Sequence, residues 1–241
     1  MSSTALSRPV SPLWAEKVAV FDTETTGVDV ETSRIVTATL AVIDGGGLVL
    51  ERDDWLIDPG VEIPTQAAAV HGIDTATARR DGMHAAAGIA GILDRLGAVL
   101  DRAIPLVVYN APYDLTILAR EAQRNGLPML LDPRPVIDPL VLDKQLDRFR
   151  RGKRTLTASA QHYGVVLDNA HDAGADAIAA GHLLQRIAER FAAELPGDVA
   201  ELHEVQIAWA EAQARSYEDW ARRNRDPLFT ADGRWPLRHA L

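Results

Sequence analysis

The stretch from Val18 to Gly27 constrains this chain most strongly, because an apolar run there ends abruptly in acidic residues. The four apolar residues from Val18 to Phe21 are typical of a buried central strand. Asp22 and Glu24 follow at a spacing of two, so in an extended strand both carboxylates lie on the same face. Burying two like charges side by side is costly unless a cation compensates them, and Mg²⁺ prefers carboxylate oxygens. The pattern predicts either a metal site or an edge strand whose polar face meets solvent.

Composition limits the classes of protein to which the chain can belong. Its 241 residues suffice for one sizeable domain with a terminal extension. The absence of cysteine excludes disulfides, thiolate metal sites and a cysteine nucleophile, and it fits the reducing cytoplasm, where we expect the protein to be located. No segment approaches the ~20 apolar residues of a membrane span, so no membrane partner is expected. The net charge of −9 argues against coating a long duplex, although an enzyme that holds one strand end remains compatible with it.

The order of predicted elements is that of an α/β protein with a mixed sheet. The first strand leads into a hairpin, and two short strands follow further along the chain. Strands are predicted over 34–43, 48–57, 105–109 and 135–138, which makes five with the first. Helices are predicted over 64–70, from 74 or 75, and over 83–102, 112–125, 139–148, 155–163, 172–195 and 198–225.

Breaks in these patterns divide the chain into segments. Residues 1–15 are rich in Ser and Pro and are predicted to form a flexible leader. Residues 16–195 form the predicted core domain. Pro196-Gly197 interrupts the helical pattern, so residues 196–241 are predicted to be a helical C-terminal extension.

Asp114 is a further candidate site residue. It lies in the first turn of the helix that follows a short strand, four residues after Asn110. An acidic residue there also stabilises the helix N-terminus electrostatically, which is a purely structural explanation. The loops at strand ends are, however, where sites in open α/β sheets tend to lie. Taken alone, the position of Asp114 fits both explanations.

His171 and Asp176 form the last candidate pair. In one continuous helix, five residues rotate by about 500°, which points two side chains away from one another. Asp172 is a good N-cap, however, so the helix is predicted to begin there and to leave His171 on the preceding loop. His171 is then free to reach the face that carries Asp176. Because a loop histidine is more often a surface residue than a catalytic one, this pair alone decides nothing.

Together these residues resemble the motifs of a known family. Phe21-Asp-Thr-Glu-Thr-Thr-Gly27, Tyr109-Asn-Ala-Pro-Tyr-Asp114 and His171-x4-Asp176 resemble the three exonuclease motifs of the DEDDh group. These are the DnaQ-like 3′–5′ exonucleases, typified by the proofreading epsilon subunit of bacterial DNA polymerase III. The resemblance covers about residues 16–190. It includes His71-Gly72-Ile73, which is similar to the family's segment between its first and second motifs.

Individual positions refine this resemblance. Asp172 occupies the place where the sister group carries a tyrosine, so the histidine type fits. Tyr109 stands where epsilon-like proteins often have His, and Tyr113 stands where they have Phe. Neither departure removes a metal ligand, so they put substrate preference in doubt rather than activity.

The resemblance implies an RNase H-like α/β fold, with a mixed five-stranded sheet flanked by helices and residues 16–195 as the exonuclease domain. It implies two Mg²⁺ ions, for which Mn²⁺ can substitute, about 3.5–4 Å apart as in other two-metal sites. His171 is implied to be the general base that takes the proton from the attacking water. The implied metal ligands are Asp22, Glu24, Asp114 and Asp176. The implied substrate-binding residues are Thr25, His71, Ile73, Asn110 and Tyr113. Among them, Thr25 is implied to contact the terminal 3′-hydroxyl, and His71 and Ile73 to pack on the terminal nucleotides. Asn110 is expected mainly to order its loop.

Three hypotheses about function follow. The leading one is a metal-dependent 3′–5′ exonuclease that acts on single-stranded DNA, of the proofreading or repair type, and releases nucleoside 5′-monophosphates. The second is the same chemistry on RNA 3′ ends, as in the oligoribonuclease and RNase T branches, because nothing in the motifs distinguishes the sugars. The third is a non-catalytic nucleic-acid-binding module associated with a polymerase, against which the intact motif residues count.

Two further stretches allow a structural and a functional interpretation. Residues 144–154 carry six Lys or Arg among eleven residues, which fits either a solvated loop or a phosphate-binding patch beside the site. The C-terminal helix carries Trp209, Tyr217 and Trp220, which fit either core packing or a surface that binds a DNA polymerase subunit.

Overall fold

The computed structural model describes residues 11–130, 132–167 and 170–238. Its sheet has six strands in the order β4-β3-β2-β1-β5-β6. The pairs β1–β2 and β2–β3 are antiparallel, and the other neighbours are parallel, so the predicted mixed α/β sheet is confirmed. The strands are β1 Lys17–Thr25, β2 Ile35–Asp44, β3 Val49–Asp58, β4 Met83–His84, β5 Leu106–Val107 and β6 Val136–Ile137.

The sixth strand is β4, which corrects the predicted count of five. It has two exposed residues and pairs with β3 through Ile57 and Met83. A strand this short shows no alternation of apolar and polar residues, and the sequence pattern assigned both residues to the helix that follows.

The helices are α1 Thr65–His71, α2 Thr75–Asp81, α3 Ala85–Asp101, α4 Ala111–Arg124, α5 Pro139–Leu146, α6 Leu156–Tyr163, α7 Ala173–Arg190 and α8 Val199–Asn224. The helix predicted over 172–195 ends earlier than expected, because the chain turns at Phe191, whose carbonyl accepts from the Glu194 N–H. No helix among the described residues is long and apolar enough to cross a membrane.

The core lies on both faces of β1. Val18 and Val20 pack with α7, whereas Ala19 and Phe21 pack on the opposite face with α3 and α4, as the two-residue period of a strand requires. All four side chains are fully buried, which confirms the predicted central strand. α7 crosses the sheet closely at Gly181, where a Cβ atom would lie 2.6 Å from Val20 Cγ1.

The sheet topology sets where the site forms. Because β1 and β5 are parallel neighbours, the residues that follow both strands emerge at the same edge of the sheet. This edge brings the acidic end of β1 next to the start of α4.

Both ends of the described chain pack on the domain. Residues 1–10 of the expected leader lie outside the described residues, but Leu13–Ala15 form a short 3₁₀ helix in which Trp14 is buried. The Trp14 indole N–H donates to the Pro196 carbonyl oxygen at 3.0 Å. The last residues of the expected leader are therefore part of the folded structure.

The C-terminal extension covers the edge of the sheet at β6. The Val136 N–H donates to His203 Nδ1 at 3.0 Å, and the Asp138 N–H donates to Gln206 Oε1 at 2.8 Å. An open sheet edge exposes unpaired backbone groups, so these two α8 side chains act in place of a further strand. α8 thus shares the core of the preceding domain. The division of the chain at residue 196 into an exonuclease domain and a C-terminal extension stays a prediction.

Candidate active site

A cleft of about 380 Å³ opens at the edge of the sheet where β1 ends. Asp22 and Glu24 lie there on one face of β1 and are half-buried. The carboxylates that line this cleft belong to Asp22, Glu24, Asp114 and Asp176. The fold therefore brings together all four predicted metal ligands, from three elements distant in sequence.

Asp114 is held in place by the residue between the two acidic positions of β1. The Thr23 N–H and hydroxyl both donate to Asp114 Oδ1, at 3.1 Å and 2.6 Å. Asp114 is buried, so these bonds fix its carboxylate firmly beside β1. Thr23 was not among the predicted site residues. The sequence signal for Thr23 is its position between Asp22 and Glu24, which places its side chain on the opposite face of the strand.

The electrostatics of the cleft show how crowded its carboxylates are. Burial, together with the charges of Asp114, Asp176 and Glu24, raises the pKa of Asp22 well above its usual range. Burial first, and then the charges of Asp176 and Asp114, raises the pKa of Glu24 to about 8. Burial raises the pKa of Asp114 to about 7, against the opposing hydrogen bonds from Thr23. The pKa of Asp176 is also raised, chiefly by burial.

This donor set fits divalent cations. Asp176 Oδ1 is buried and accepts no hydrogen bond within the described part of the chain, so this oxygen is available to bind a cation. Ligand atoms of Glu24, His171 and Asp176 all lie within 4.8 Å of one another. Hard cations such as Mg²⁺ prefer clustered carboxylate oxygens, and they relieve the repulsion that raises these pKa values.

His171 lies on the loop before α7, as predicted. Asp172 is the N-cap, its side chain accepts from the Ala175 N–H at 2.9 Å, and the helix begins at Ala173. His171 is exposed, and its backbone takes the left-handed conformation with φ of 73°. Its N–H donates to Asp176 Oδ2 at 3.1 Å. This turn places the His171 imidazole beside the carboxylates. His171 precedes the start of α7, whereas Asp176 lies in its first turn.

The turn after β1 is held by hydroxyl groups. Tyr113 Oη donates to the Gly27 carbonyl oxygen at 2.6 Å, and the Thr25 hydroxyl lies 2.6 Å from Tyr113 Oη. Burial lowers the pKa of His71, against an opposing interaction with the backbone of Thr25. Ile73 packs on a small apolar cluster of Val36, Ile63 and Ala78. Tyr113 and His71 thus both interact with Thr25, and of these three residues Tyr113 lines the cleft.

Asn110 also lines the cleft, in a loop that a buried aspartate orders. Asp138 accepts from the backbone N–H groups of Asn110 and Ala111 at 2.9 Å and 3.0 Å, and from the Trp235 indole at 3.3 Å. Sequence reasoning did not select Asp138. Its position immediately before Pro139, at a helix start, was the available signal, since Asp is a favoured N-cap and Pro a favoured first helical residue.

Comparison with known proteins agrees with this geometry. The family model of the RNase T exonucleases matches residues 19–184. The chain belongs to this exonuclease family. The predicted resemblance is therefore confirmed at the level of the family, whose members hydrolyse nucleic-acid phosphodiester bonds.

Two similar proteins carry DNA polymerase III in their names. The chain is 30% identical over 185 residues to a PolC-type DNA polymerase III from Lacticaseibacillus paracasei, covering 77% of this chain and 12% of that protein. It is 30% identical over 181 residues to a DNA polymerase III epsilon-like protein from Rhodobacter capsulatus, covering 73% of this chain and 24% of that protein. The chain thus spans less than a quarter of the length of these relatives.

A solved structure confirms the fold. Escherichia coli exonuclease I, determined in complex with a dT13 oligonucleotide, superposes with a TM-score of 0.61 at 20% identity. The match covers 74% of this chain and 42% of that protein. At this identity the similarity establishes the shared α/β architecture alone.

Proposed function

We propose that this chain is a metal-dependent 3′–5′ exonuclease that removes nucleoside 5′-monophosphates from single-stranded DNA. The observation that carries the proposal is the convergence of Asp22, Glu24, Asp114 and Asp176 in one cleft with His171 at its rim. Family membership supports the reaction class, and the carboxylate set supports divalent metal ions, of which Mg²⁺ is the natural candidate.

The residues of the cleft take distinct roles in this proposal. Two divalent cations, when bound by the four carboxylates, supply the positive charge that activates water and stabilises the leaving oxygen. His171 accepts the proton of the attacking water, because its imidazole is exposed here beside Glu24 and Asp176. Asp114 keeps its orientation through Thr23.

The proposal assigns the terminal nucleotide to the side of the cleft that carries Thr25. The interaction of His71 with the backbone of Thr25, and the packing of Ile73 nearby, support a contact with the terminal base and sugar. Tyr113 lines the cleft, and its hydroxyl supports the Thr25 turn. Asn110 also lines the cleft.

The test uses 5′-labelled single-stranded DNA and RNA of matched sequence, incubated with Mg²⁺, with Mn²⁺ or with EDTA. Stepwise shortening from the 3′ end that requires metal is the expected result. The Asp22→Asn variant is the matched control, because it removes a charge while keeping nearly the same shape. The faster substrate identifies the sugar preference. Failure of the folded protein to shorten either substrate with either metal would overturn the proposal.

We further propose that the exposed end of α8 is the surface through which a DNA polymerase subunit binds. Tyr217 and Trp220 are exposed, and their rings stack at 5.8 Å, whereas Trp209 packs on the core. The names of the relatives motivate the choice of partner. Titrating labelled protein with a purified replicative polymerase subunit tests it: Trp220→Ala should weaken binding about tenfold or more. Equal affinity of the wild-type chain and Trp220→Ala for the polymerase subunit would contradict this proposal.

A further inference from the structure

The loop between α5 and α6, residues 147–155, displays an aromatic side chain among cations. Phe149 is 95% exposed, more than any other large hydrophobic side chain in the described part of the chain. Arg148, Arg151 and Lys153 surround it in sequence and are also exposed. A fully exposed phenylalanine contributes almost nothing to hydrophobic stabilisation, so packing of the fold does not explain it.

The other two cations of this loop are structural. Arg150 donates to both carboxylate oxygens of Asp143, at 3.1 Å and 2.6 Å, and Arg154 lies 2.7 Å from the same carboxylate. Asp143 is fully buried, and the two arginine side chains are only 5% and 14% exposed. The basic run is therefore divided between an inner pair that holds the loop and an outer set that faces solvent.

The inner pair also braces the loop backbone. Arg150 Nη1 donates to the Lys153 carbonyl at 3.1 Å, and Arg154 Nη2 donates to the Asp147 carbonyl at 2.6 Å. The chain reverses at Gly152, whose φ of +99° is a conformation that L-residues rarely adopt. The outer side chains are thus presented from a loop of defined shape.

This loop ends in the wall of the acidic cleft. Arg154 and Thr155 line the cleft together with the carboxylates, and the Tyr109 hydroxyl donates to the Arg154 carbonyl at 2.9 Å. Phe149 precedes Arg154 by five residues, so its backbone lies within about 17 Å of the cleft wall. That separation corresponds to a few nucleotides of a strand whose 3′ end is in the cleft.

The outer cations have no acidic partner of their own. Across residues 11–130, 132–167 and 170–238, Arg148, Arg151 and Lys153 take part in no ion pair. Unpaired cations in the same loop as an exposed aromatic residue match the chemistry of single-stranded nucleic acid, which offers phosphates and unstacked bases. On a chain with a net charge of −9, such a patch also offsets the general repulsion of a polyanion.

We propose that the α5–α6 loop binds the single strand a few nucleotides upstream of the cleft. Phe149 stacks on a base, and Arg148, Arg151 and Lys153 contact the neighbouring phosphates. This inference rests on the proposed function for its substrate. It adds a second binding region whose contribution depends on the length of the strand and not on its sequence, since every base has a face to stack on.

Binding without cleavage provides the first test. Fluorescence anisotropy of labelled dT12 is measured in EDTA with the wild-type chain, Phe149→Ala, and the triple variant Arg148→Ala, Arg151→Ala, Lys153→Ala. Phe149→Ala should raise Kd about tenfold, because stacking on an aromatic side chain contributes that order of affinity. The triple variant should reduce the slope of log K against log salt by about 2, as expected for the loss of three phosphate contacts.

The matched control removes the same charge elsewhere. Arg186, Arg215 and Arg223 are exposed on α7 and α8, and replacing all three with alanine gives the same net charge as the loop variant. This control should bind dT12 within about twofold of wild type, with an unchanged salt slope. Thermal unfolding of every variant checks that the fold is kept. Equal weakening by the control and the loop triple variant would overturn the proposal.

Hydrolysis of short and long substrates separates this inference from the proposed function. Phe149→Ala should raise KM for dT12 about tenfold and leave KM and kcat for the dinucleotide dT2 unchanged. Wild-type hydrolysis of both with no effect of Phe149→Ala on KM or Kd would leave the exonuclease proposal standing and refute the loop. Binding of dT12 that depends on Phe149, without any hydrolysis by wild type, would support the loop and refute the exonuclease.

Discussion

Two clusters of ionisable side chains in this protein have opposite electrostatics. In the cleft, burial and neighbouring carboxylates raise the pKa of Asp22 well above its usual range. At Asp143, burial acts in the same direction, but hydrogen bonds from Arg150, Arg154 and Tyr163 overcome it and lower the pKa. Within the described residues, two arginines pair with Asp143, whereas no Lys or Arg forms an ion pair with the carboxylates of the cleft.

The difference indicates which cluster serves function. A buried carboxylate that the fold itself neutralises contributes to structure, and here it braces a loop. Carboxylates without a paired cation destabilise the metal-free protein, and strongly shifted pKa values of this kind cluster at functional sites.

Replacing Asp22 with Asn should lower kcat by roughly three orders of magnitude or more, as for removal of a central catalytic group. In EDTA, however, the same variant should unfold at a higher temperature than wild type, because it removes a carboxylate whose ionisation is disfavoured by burial and by its acidic neighbours. Exonuclease assays and thermal scans measure the two effects. A variant that loses both activity and metal-free stability would show that Asp22 is structural.

Asp143→Ala should do the opposite, with a large loss of stability and little direct effect on chemistry. It leaves two nearly buried guanidinium groups unpaired, a change that costs about 3–5 kcal/mol. Urea unfolding measures this. Asp147→Ala, four residues along, is the control: its partners His162 and Arg190 are partly exposed, so it should cost less than about 1 kcal/mol. Similar losses in the two variants would refute the contrast.

His171→Gln should lower kcat about 100-fold, at the lower end of the range for loss of a general base. The stabilisation of the protein by Mg²⁺, seen as a shift in Tm, should persist, since the four carboxylates remain. Measuring kcat and the Mg²⁺-dependent Tm on the same preparation tests the assigned role. Loss of the Tm shift together with kcat would instead make His171 a metal ligand.

The stability of the metal-free protein should depend on pH, because the carboxylates of the cleft repel one another when they are ionised. The pKa of Glu24 is raised from 4.5 to about 8 in the folded state, so its contribution to stability is lost as pH rises through this window. Tm in EDTA should fall by a few degrees between pH 5 and pH 8, and Mg²⁺ should reverse the fall. A Tm in EDTA that stays flat or rises over this range would contradict the raised pKa.

Much of the site could be predicted from short stretches of sequence. The apolar run into Asp22 and Glu24, and the N-cap at Asp172 that leaves His171 on a loop, depend on local periodicity and capping, which neighbouring residues decide. The order of strands and helices follows from the same local patterns, so the mixed α/β sheet was predictable. The assignment of substrate contacts to Thr25 and its neighbours stays a prediction.

Only the tertiary structure decided which residues pair across long sequence distances. The two-residue β4 forms because β3 offers it a partner. α8 covers the edge of β6 through His203 and Gln206, although its sequence shows only a long helix. The run of basic residues after α5 divides into structural and exposed cations because buried Asp143 lies within reach of two of them. A local pattern specifies what a residue can do, whereas its burial and its partners, which set its pKa and role, exist only once the chain has folded.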